Sequence, residues 1–346
     1  AKKAPAKKAP AKKAPAKKRT AHLSKKSASS TAGPTTMPTL GFEDHETAKA
    51  LPVTFSYPLY GTNIDDASGV TAGEPDPYDV QQGFCNNCWL VCGMMLAAHN
   101  YKQDLMDAID DHGDGTFTVR LWAPTMKYKG RQTAYRVDNR FYVHNGSERA
   151  RGTAHYAHSP TAERAESALW PMVLEKAIAC HLSTARGDKA SYSYVDASAK
   201  AAKKYGVPVA TAGSVVLMLN GGKCSLRARK SNTASFPGYP GWEKIWGAMD
   251  KGIAKGVTVG TLGLKKDEGQ GRLIGNHMYL VLSTGQDDDG KYIKCLNPHN
   301  RDDVGRKRKV KDILRQATLG IDADGRQFKV YGEEFMDFFA SFSIMN

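Results

Sequence analysis

The 346-residue chain is predicted to adopt an α+β fold with a helical N-terminal lobe and a sheet-rich C-terminal lobe. Apolar residues recur at helical spacing in the first half, for example in residues 88–99. Short apolar runs bounded by glycine, asparagine and aspartate predominate in the second half, as in residues 277–283 and 291–296. The pattern changes between residues 195 and 215, and we place the boundary between the lobes after residue 205.

The chain begins with a basic, low-complexity segment. Residues 1–18 repeat Ala-Lys-Lys-Ala-Pro, with a proline at every fifth position that prevents a continuous helix. Residues 1–26 carry 11 lysines and arginines and no acid, which leaves only +3 of the total charge of +14 for the remainder. We predict residues 1–45 to be a disordered basic tail and linker.

The tail indicates a polyanionic partner. Dense lysine on an extended chain releases counterions from nucleic acid or another polyphosphate without reading its sequence. The repeat also resembles the tails of linker histones. The alternative is a solvated tail that serves only as a solubility segment or a nuclear-targeting address.

Residues 46–205 form the predicted helical subdomain. Residues 88–99 carry a helical stripe of Cys88, Cys92, Met95, Leu96 and His99. Residues 117–121 alternate between apolar and polar side chains, which is typical of a half-buried strand. Thr161 is the predicted cap of another helix, and Pro171 predicts a break or restart of that helix near Trp170.

Residues 206–346 form the predicted sheet-rich subdomain, with one helix at Gly241 to Lys255. Strands are predicted at residues 257–264, 277–283 and 291–296, and the aspartate-rich segment from Gly285 to Gly290 is the turn between the last two. This hairpin brings the start of one strand and the end of the next to the same end of the sheet.

The segment from Gln81 to Trp89 carries the strongest chemical signal. Cys88 opens an apolar helix, whose dipole favours a thiolate, and the amide of Gln82, six residues earlier, can donate to an oxyanion. His277 opens a strand and Asn297 closes the next one, so the predicted hairpin brings them together. The order Cys88, His277, Asn297 is the Cys-His-Asn order of papain-like proteases. We therefore predict a nucleophile, a general base and an orienting amide, with Gln82 as the oxyanion donor.

Several separated blocks resemble the calpain-type cysteine protease core, within the wider papain-like group. The blocks are Gln82-Gly83 with Cys88-Trp89-Leu90, then residues 114–122, 135–141 and 168–177, and the acidic-aromatic segment 334–339. The resemblance extends from about residue 80 to the C-terminus. It implies a two-lobed papain-like fold and an endopeptidase that cleaves protein substrates through a thioester acyl-enzyme.

Two positions depart from the family pattern. Asn297 is followed by Pro298-His299 where the family has Pro-Trp, so the indole that shields the His-Asn hydrogen bond is missing. His299 is either a surface turn residue or a second imidazole beside His277. Asn87 precedes Cys88 where the family has aspartate, and no EF-hand loop occurs in the chain. The sequence thus indicates a protein that requires no cofactor, and it leaves open whether calcium regulates the protein.

The six cysteines are too few and too scattered for a disulfide scaffold. The resemblance to the papain branch leaves open whether Cys85 is disulfide-bonded. Cys85-x-x-Cys88 has the spacing of zinc ligands or of a redox dithiol, but no second pair completes a zinc site. The acidic run Asp287–Asp289 fits a solvated turn better than a calcium site.

Location and alternative functions follow from the same sequence. The chain contains no run of 18 apolar residues and no signal peptide. This predicts an intracellular protein that does not bind a membrane, located in the nucleus, the nucleoid or a virion. One alternative to the protease is a catalytically inactive protease fold that acts as a scaffold or a nucleic-acid-associated structural protein. Another is a different acyl transfer on this fold, such as transamidation or removal of a protein modifier.

Overall fold

Helices and mainly antiparallel sheets alternate along the chain, which confirms the predicted α+β class. The computed structural model describes residues 35–36, 50–54, 57–60, 62–65, 69–83, 85–123, 131–144, 168–184, 187, 191–196, 212–222, 224–228, 236–263, 273–299 and 326–346. All of these belong to one unit, Gly33–Asn346. Within the predicted tail and linker, only Thr35 and Thr36 are described, in a short strand; Thr161, the predicted helix cap, lies outside the described residues.

Three helices occur in the described part of the N-terminal half: α1 (Cys88–Asn100), α2 (Lys102–Ala108) and α3 (Trp170–Thr184). A four-stranded sheet has the order β1-β7-β6-β5, formed by Thr35–Thr36, Gln132–Asp138, Thr116–Trp122 and Ile109–Asp111, and only the β1–β7 pair is parallel. Two small antiparallel pairs join β2 (Ala50–Thr54) to β8 (Arg140–His144), and β3 (Thr62–Asp65) to β4 (Gly69–Ala72).

Helix α1 is the centre of the first buried cluster. Every residue from Cys88 to Ala98 is buried, so the helix is covered on all sides rather than along one stripe. Full burial of a side chain such as Leu90 or Met94 contributes roughly 2 to 3 kcal/mol to folding. The start of α1 is therefore a rigid position for a side chain.

Helix α3 begins at Trp170 with Pro171 as its second residue, which agrees with the predicted break near Trp170. Residues 161–167, where the preceding part of the predicted helix falls, lie outside the described residues. Polar contacts of Lys176 tie α3 to strands β7 and β8. The Lys176 ammonium pairs with the Asp138 carboxylate and donates to the Arg140 carbonyl at 3.0 Å. Burial lowers the pKa of Lys176, and Asp138 opposes that shift.

The C-terminal half contains a six-stranded antiparallel sheet of order β13-β12-β11-β10-β14-β9. The strands in chain order are β9 (Cys224–Ala228), β10 (Val257–Thr261), β11 (Met278–Asp287), β12 (Gly290–Leu296), β13 (Gln327–Tyr331) and β14 (Phe339–Met345). The predicted turn is too long, because β11 and β12 continue to Asp287 and Gly290 and leave a two-residue turn, Asp288–Asp289.

This sheet separates two buried clusters. The paired residues Leu280 and Leu296 belong to the cluster around α1, whereas their paired neighbours Val281 and Cys295 belong to a second cluster. Alternate residues of a strand point to opposite faces, so β11 and β12 contribute to both clusters. The hairpin that carries His277 and Asn297 is thereby held against the helix that carries Cys88.

The C-terminal half is more helical than predicted. The helix predicted from Gly241 to Lys255 is confirmed as α5 (Trp242–Gly252), followed by a 3-10 turn, Ile253–Lys255. Two further helices, α4 (Gly213–Asn220) and α6 (Gly332–Phe338), contradict the prediction of a single helix after residue 206. Helix α4 packs on α1 within the first cluster, since Val215, Val216 and Leu219 are buried there. Among the described helices, none has both the length and the apolar character needed to cross a membrane.

Candidate active site

Cys88 is the first residue of α1 and is 6% exposed. The carbonyl of Asn87 accepts from the N–H of Leu90 at 2.8 Å, so the helix begins directly at the thiol. The sulfur lies against the backbone on both sides of His277. It is 4.0 Å from the carbonyl oxygen of Asn276, and the N–H of Met278 donates to it.

Burial and hydrogen bonding act in opposite directions on Cys88. Burial raises the pKa of the thiol above its ordinary value, and the backbone N–H groups of Met278, Trp89 and Cys88 lower it in part. The net direction is upward. A base is therefore needed to form the thiolate at neutral pH.

His277 is fixed by the residues around its backbone. The Thr261 hydroxyl accepts from the N–H of His277 at 3.0 Å and donates to the Ile274 carbonyl at 2.6 Å, while the Thr261 N–H donates to the His277 carbonyl at 2.9 Å. Asn276, just before it, has a φ of 53°, the left-handed conformation that asparagine tolerates better than most residues. The tight turn directs the chain into β11 with His277 4% exposed.

Asn297 follows β12 and is bonded to His277, as predicted. Its Oδ1 lies 3.0 Å from Nε2 of His277, and Asn297 itself is 1% exposed. An acceptor at Nε2 requires the proton on that nitrogen, which leaves Nδ1 able to accept one. This is the tautomer that a general base needs.

Gln82 is buried beside the same loop. Its backbone N–H donates to the carbonyl of Pro298 at 2.9 Å, and its side-chain Nε2 donates to the carbonyl of Cys85 at 2.9 Å. The amide nitrogen carries two hydrogens, and this bond uses one of them. In the described part of the chain, Oε1 of Gln82 is buried without a hydrogen-bond partner.

Arg326 joins the two loops, and its role is not evident from the sequence. Its carbonyl accepts from the N–H of Asn297 at 2.8 Å. Its guanidinium donates to the carbonyls of Tyr78 and Val80 at 3.2 and 2.8 Å. The segment leading to Gln82 is thus tied to the residue that orients His277.

Glu175 is another residue that sequence reasoning did not assign to the site. It is fully buried in α3, and the side-chain amide of Asn87 donates to its Oε1. Asn87 is also fully buried, and its Oδ1 has no hydrogen-bond partner within the described residues. Asn87, the residue that differs from the resembled family, therefore places a neutral amide, rather than a second acid, opposite a buried carboxyl group.

His299 is a second imidazole beside His277, rather than a free surface residue. The two rings are stacked, with centroids 4.8 Å apart and an interplanar angle of 20°. The side chain is partly buried. The position that holds an indole in the resembled family thus still holds an aromatic ring.

The other cysteines are free, including Cys85. Burial raises the pKa values of Cys85 and Cys92 well above that of an ordinary thiol, so both remain protonated. Cys88 differs from both because several backbone N–H groups contact its thiol and partly oppose the effect of burial on its pKa.

A calcium site in the acidic turn gains no support. Asp287 accepts from the Lys329 ammonium at 2.6 Å and from the Tyr331 hydroxyl at 3.0 Å, and the contact with Lys329 lowers the pKa of Asp287. Across the described ranges, no group of three or more histidine, cysteine, aspartate or glutamate side chains has the geometry to hold a metal ion.

Comparisons of the chain with protein-family models and with curated proteins give no match. The functional interpretation therefore depends on the geometry of the residues described above.

Proposed function

We propose that the protein is a cysteine endopeptidase with a calpain-type, two-lobed papain-like fold. The observation that carries the proposal is the convergence of Cys88 at a helix N-terminus with a hydrogen-bonded His277–Asn297 pair. These residues come from three separate parts of the chain. A thiol, an imidazole and an amide that orients the imidazole are the groups that acyl transfer through a thiol uses.

In the acylation step, Nδ1 of His277 takes the proton of the Cys88 thiol, and the thiolate attacks the carbonyl carbon of a peptide bond. The tetrahedral intermediate collapses as His277 returns the proton to the leaving amine. The C–N bond breaks, and a thioester to Cys88 remains. The bond between Nε2 and Asn297 keeps the imidazole in the required tautomer throughout.

Gln82 and the backbone N–H of Cys88 are the proposed oxyanion donors. The Cys85 carbonyl orients the Gln82 amide, whose second N–H is available for a substrate oxygen. One such donor contributes roughly 3 kcal/mol in comparable sites. Water then attacks the thioester with His277 as base, which releases the carboxylic acid and regenerates the thiol.

The experiment that tests this function is peptide-bond hydrolysis by the full chain, measured on unfolded protein substrates and a fluorogenic peptide library. Cys88→Ala is expected to lower turnover by roughly 10⁴-fold or more, and Gln82→Ala by roughly 10²-fold to 10³-fold. Cys180→Ala is the matched control, because Cys180 is a buried cysteine of α3 and not of the site. Turnover that persists in Cys88→Ala would refute the proposal.

One observation favours the inactive scaffold as a second candidate. Cys88 is buried and its pKa is raised, which are also the properties of a thiol that packs and does not react. A scaffold would give no turnover with any substrate and no acyl-enzyme by mass spectrometry. If acylation occurs, an added amine acceptor separates hydrolysis from transamidation by its products.

The tail gives the proposed location and partner. With 11 positive charges and no acid in residues 1–26, it would hold the enzyme on nucleic acid or on another polyanion. The tail lies outside the described residues. We infer an intracellular enzyme that is concentrated near such a polyanion, in the nucleus, the nucleoid or a virion.

A further inference from the structure

His277 packs against two aromatic rings. The ring of His299 is stacked on it at 4.8 Å, and the ring of Tyr279 makes a T-shaped contact with it, with centroids 5.0 Å apart and an interplanar angle of 85°. Stacking of His299 excludes water from one face of the His277 imidazole. One of these two rings, that of His299, is an imidazole, the ring that can carry a positive charge.

His299 also acts through its backbone. Its N–H donates to Oδ1 of Asn297 at 3.0 Å, the same oxygen that lies 3.0 Å from Nε2 of His277. An amide oxygen has two lone pairs and accepts both donors. The orientation of Asn297 is therefore fixed by the residue whose ring covers His277.

Charge distinguishes His299 from a neutral ring at this position. The reactive thiolate–imidazolium pair requires a positive charge on His277, and a protonated His299 stacked on that ring would oppose it. Three described residues lie near the pair. The Cys88 sulfur contacts the backbone of Asn276 and Met278, the Tyr279 ring packs on His277, and the Arg326 carbonyl accepts from the N–H of Asn297. Arg326 keeps its charge at every relevant pH, so among these described neighbours His299 is the cation that appears on acidification.

We propose that His299 is a positioning residue that restricts the reactive Cys88–His277 ion pair to neutral and alkaline pH. The inference rests on the proposed function. In either form, the backbone N–H of His299 orients Asn297. In its neutral form, the ring covers His277 without adding a charge. In its protonated form, it repels the imidazolium of His277, so that the proton returns to Cys88 or leaves the pair.

The test is the rate of Cys88 alkylation by iodoacetamide from about pH 4.5 to pH 8, which covers the range where a histidine titrates. His299→Phe keeps the backbone N–H and a stacking ring but loses the charge. We expect the acidic limb of its rate profile to lie about one pH unit below that of the wild type, the effect of a partly screened like charge near 5 Å. His112→Phe makes the same exchange at an exposed histidine outside the site and should not move the limb.

Coincident acidic limbs in the wild type and His299→Phe would overturn the inference. Should the phenylalanine variant not fold, as judged by near-UV circular dichroism, His299→Gln provides a neutral polar replacement with the same expected shift. Failure of the proposed function has a different signature, because His277→Ala would then leave Cys88 alkylation unchanged at every pH.

Discussion

Asn87 and Glu175 form a buried contact immediately before Cys88, the proposed nucleophile, and this contact requires a neutral side chain at residue 87. In Asn87→Asp, two carboxyl groups would meet without water, and one of them would have to bind a proton. We expect a loss on the order of 3 kcal/mol in the free energy of unfolding at neutral pH. The measurement is urea unfolding as a function of pH.

The direction in which stability changes with pH tests whether the second carboxyl group causes the loss. The folded variant holds a proton that the unfolded chain releases near neutrality, so its stability should decrease as the pH rises and recover on acidification. Asn87→Ala removes the hydrogen bond without adding a second carboxyl group, so the stability of this variant should depend less steeply on pH than that of Asn87→Asp. If both variants lose the same free energy of unfolding at every pH, the second carboxyl group is not the cause of the loss.

At the scale of residues, the sequence identifies side chains by type and order, but not their distant partners. Cys88, His277, Asn297 and Gln82 stand out because each follows a recognisable local pattern. Glu175 could not be assigned in that way, since its contact with Asn87 spans 88 positions and has no local signal. The stacking of His299 on His277 could not be predicted either, because a turn residue leaves the direction of its ring undetermined.

At the scale of elements, His181 joins α3 to the two inner strands of the four-stranded sheet, β6 and β7. Its Nδ1 accepts from the Tyr135 hydroxyl at 2.8 Å, and its Nε2 donates to the Trp122 carbonyl at 2.8 Å, which is the pattern of a neutral imidazole. Burial lowers the pKa of His181 from 6.5 to about 4. Protonation of the folded state would break the bond from Tyr135.

This shift predicts acid sensitivity. Between about pH 6.5 and pH 4 the unfolded chain binds a proton at His181 that the folded chain does not, so stability decreases as the pH falls through that range. The expected loss is on the order of 3 kcal/mol. His181→Phe should be less stable at neutral pH but should lack this part of the slope, as measured by urea unfolding at several pH values. Parallel slopes in the two proteins would exclude His181 as the cause.

The elements that the sequence predicts well are those with clear periodicity and clear ends. Helix α1, strand β6 and helix α5 agree with prediction within a few residues. Helix α4 was missed because Gly213–Asn220 is almost continuously apolar, and a short buried helix has no polar face to show its period. The turn between β11 and β12 has two residues and is shorter than predicted. Aspartate and glycine usually mark turns, but here Asp287 and Gly290 form the ends of the strands.

At the scale of the whole molecule, the basic tail and the folded unit should act separately. Deletion of residues 1–30 is expected to weaken retention on DNA at low salt while peptide turnover is unchanged. The reason is that electrostatic binding depends on the number of lysines that neutralise phosphates. Retention is measured by salt elution from a DNA column, with a Lys→Gln tail of equal length as the matched control. Equal loss of retention and turnover would contradict a tethering role.

The arrangement of the folded unit explains why the proposed site is rigid. Strands β11 and β12 contribute to both buried clusters, so the hairpin that carries His277 and Asn297 cannot move without disturbing both cores. Helix α1 is buried around its whole circumference and positions Cys88 equally firmly. Such preorganisation is what acyl transfer requires. The sequence predicts helix α1 and the hairpin separately, but the packing of α1 on one face of the hairpin depends on contacts between distant segments.

The central claim is that His277 activates Cys88, and the most direct measurement is labelling with iodoacetamide followed by mass-spectrometric site mapping. At neutral pH, with and without calcium, the wild type should be modified rapidly at Cys88 alone. In His277→Ala, the raised pKa of the buried thiol should leave Cys88 protonated and nearly unreactive. Slow labelling spread over several cysteines, and unchanged by His277→Ala, would contradict the claim.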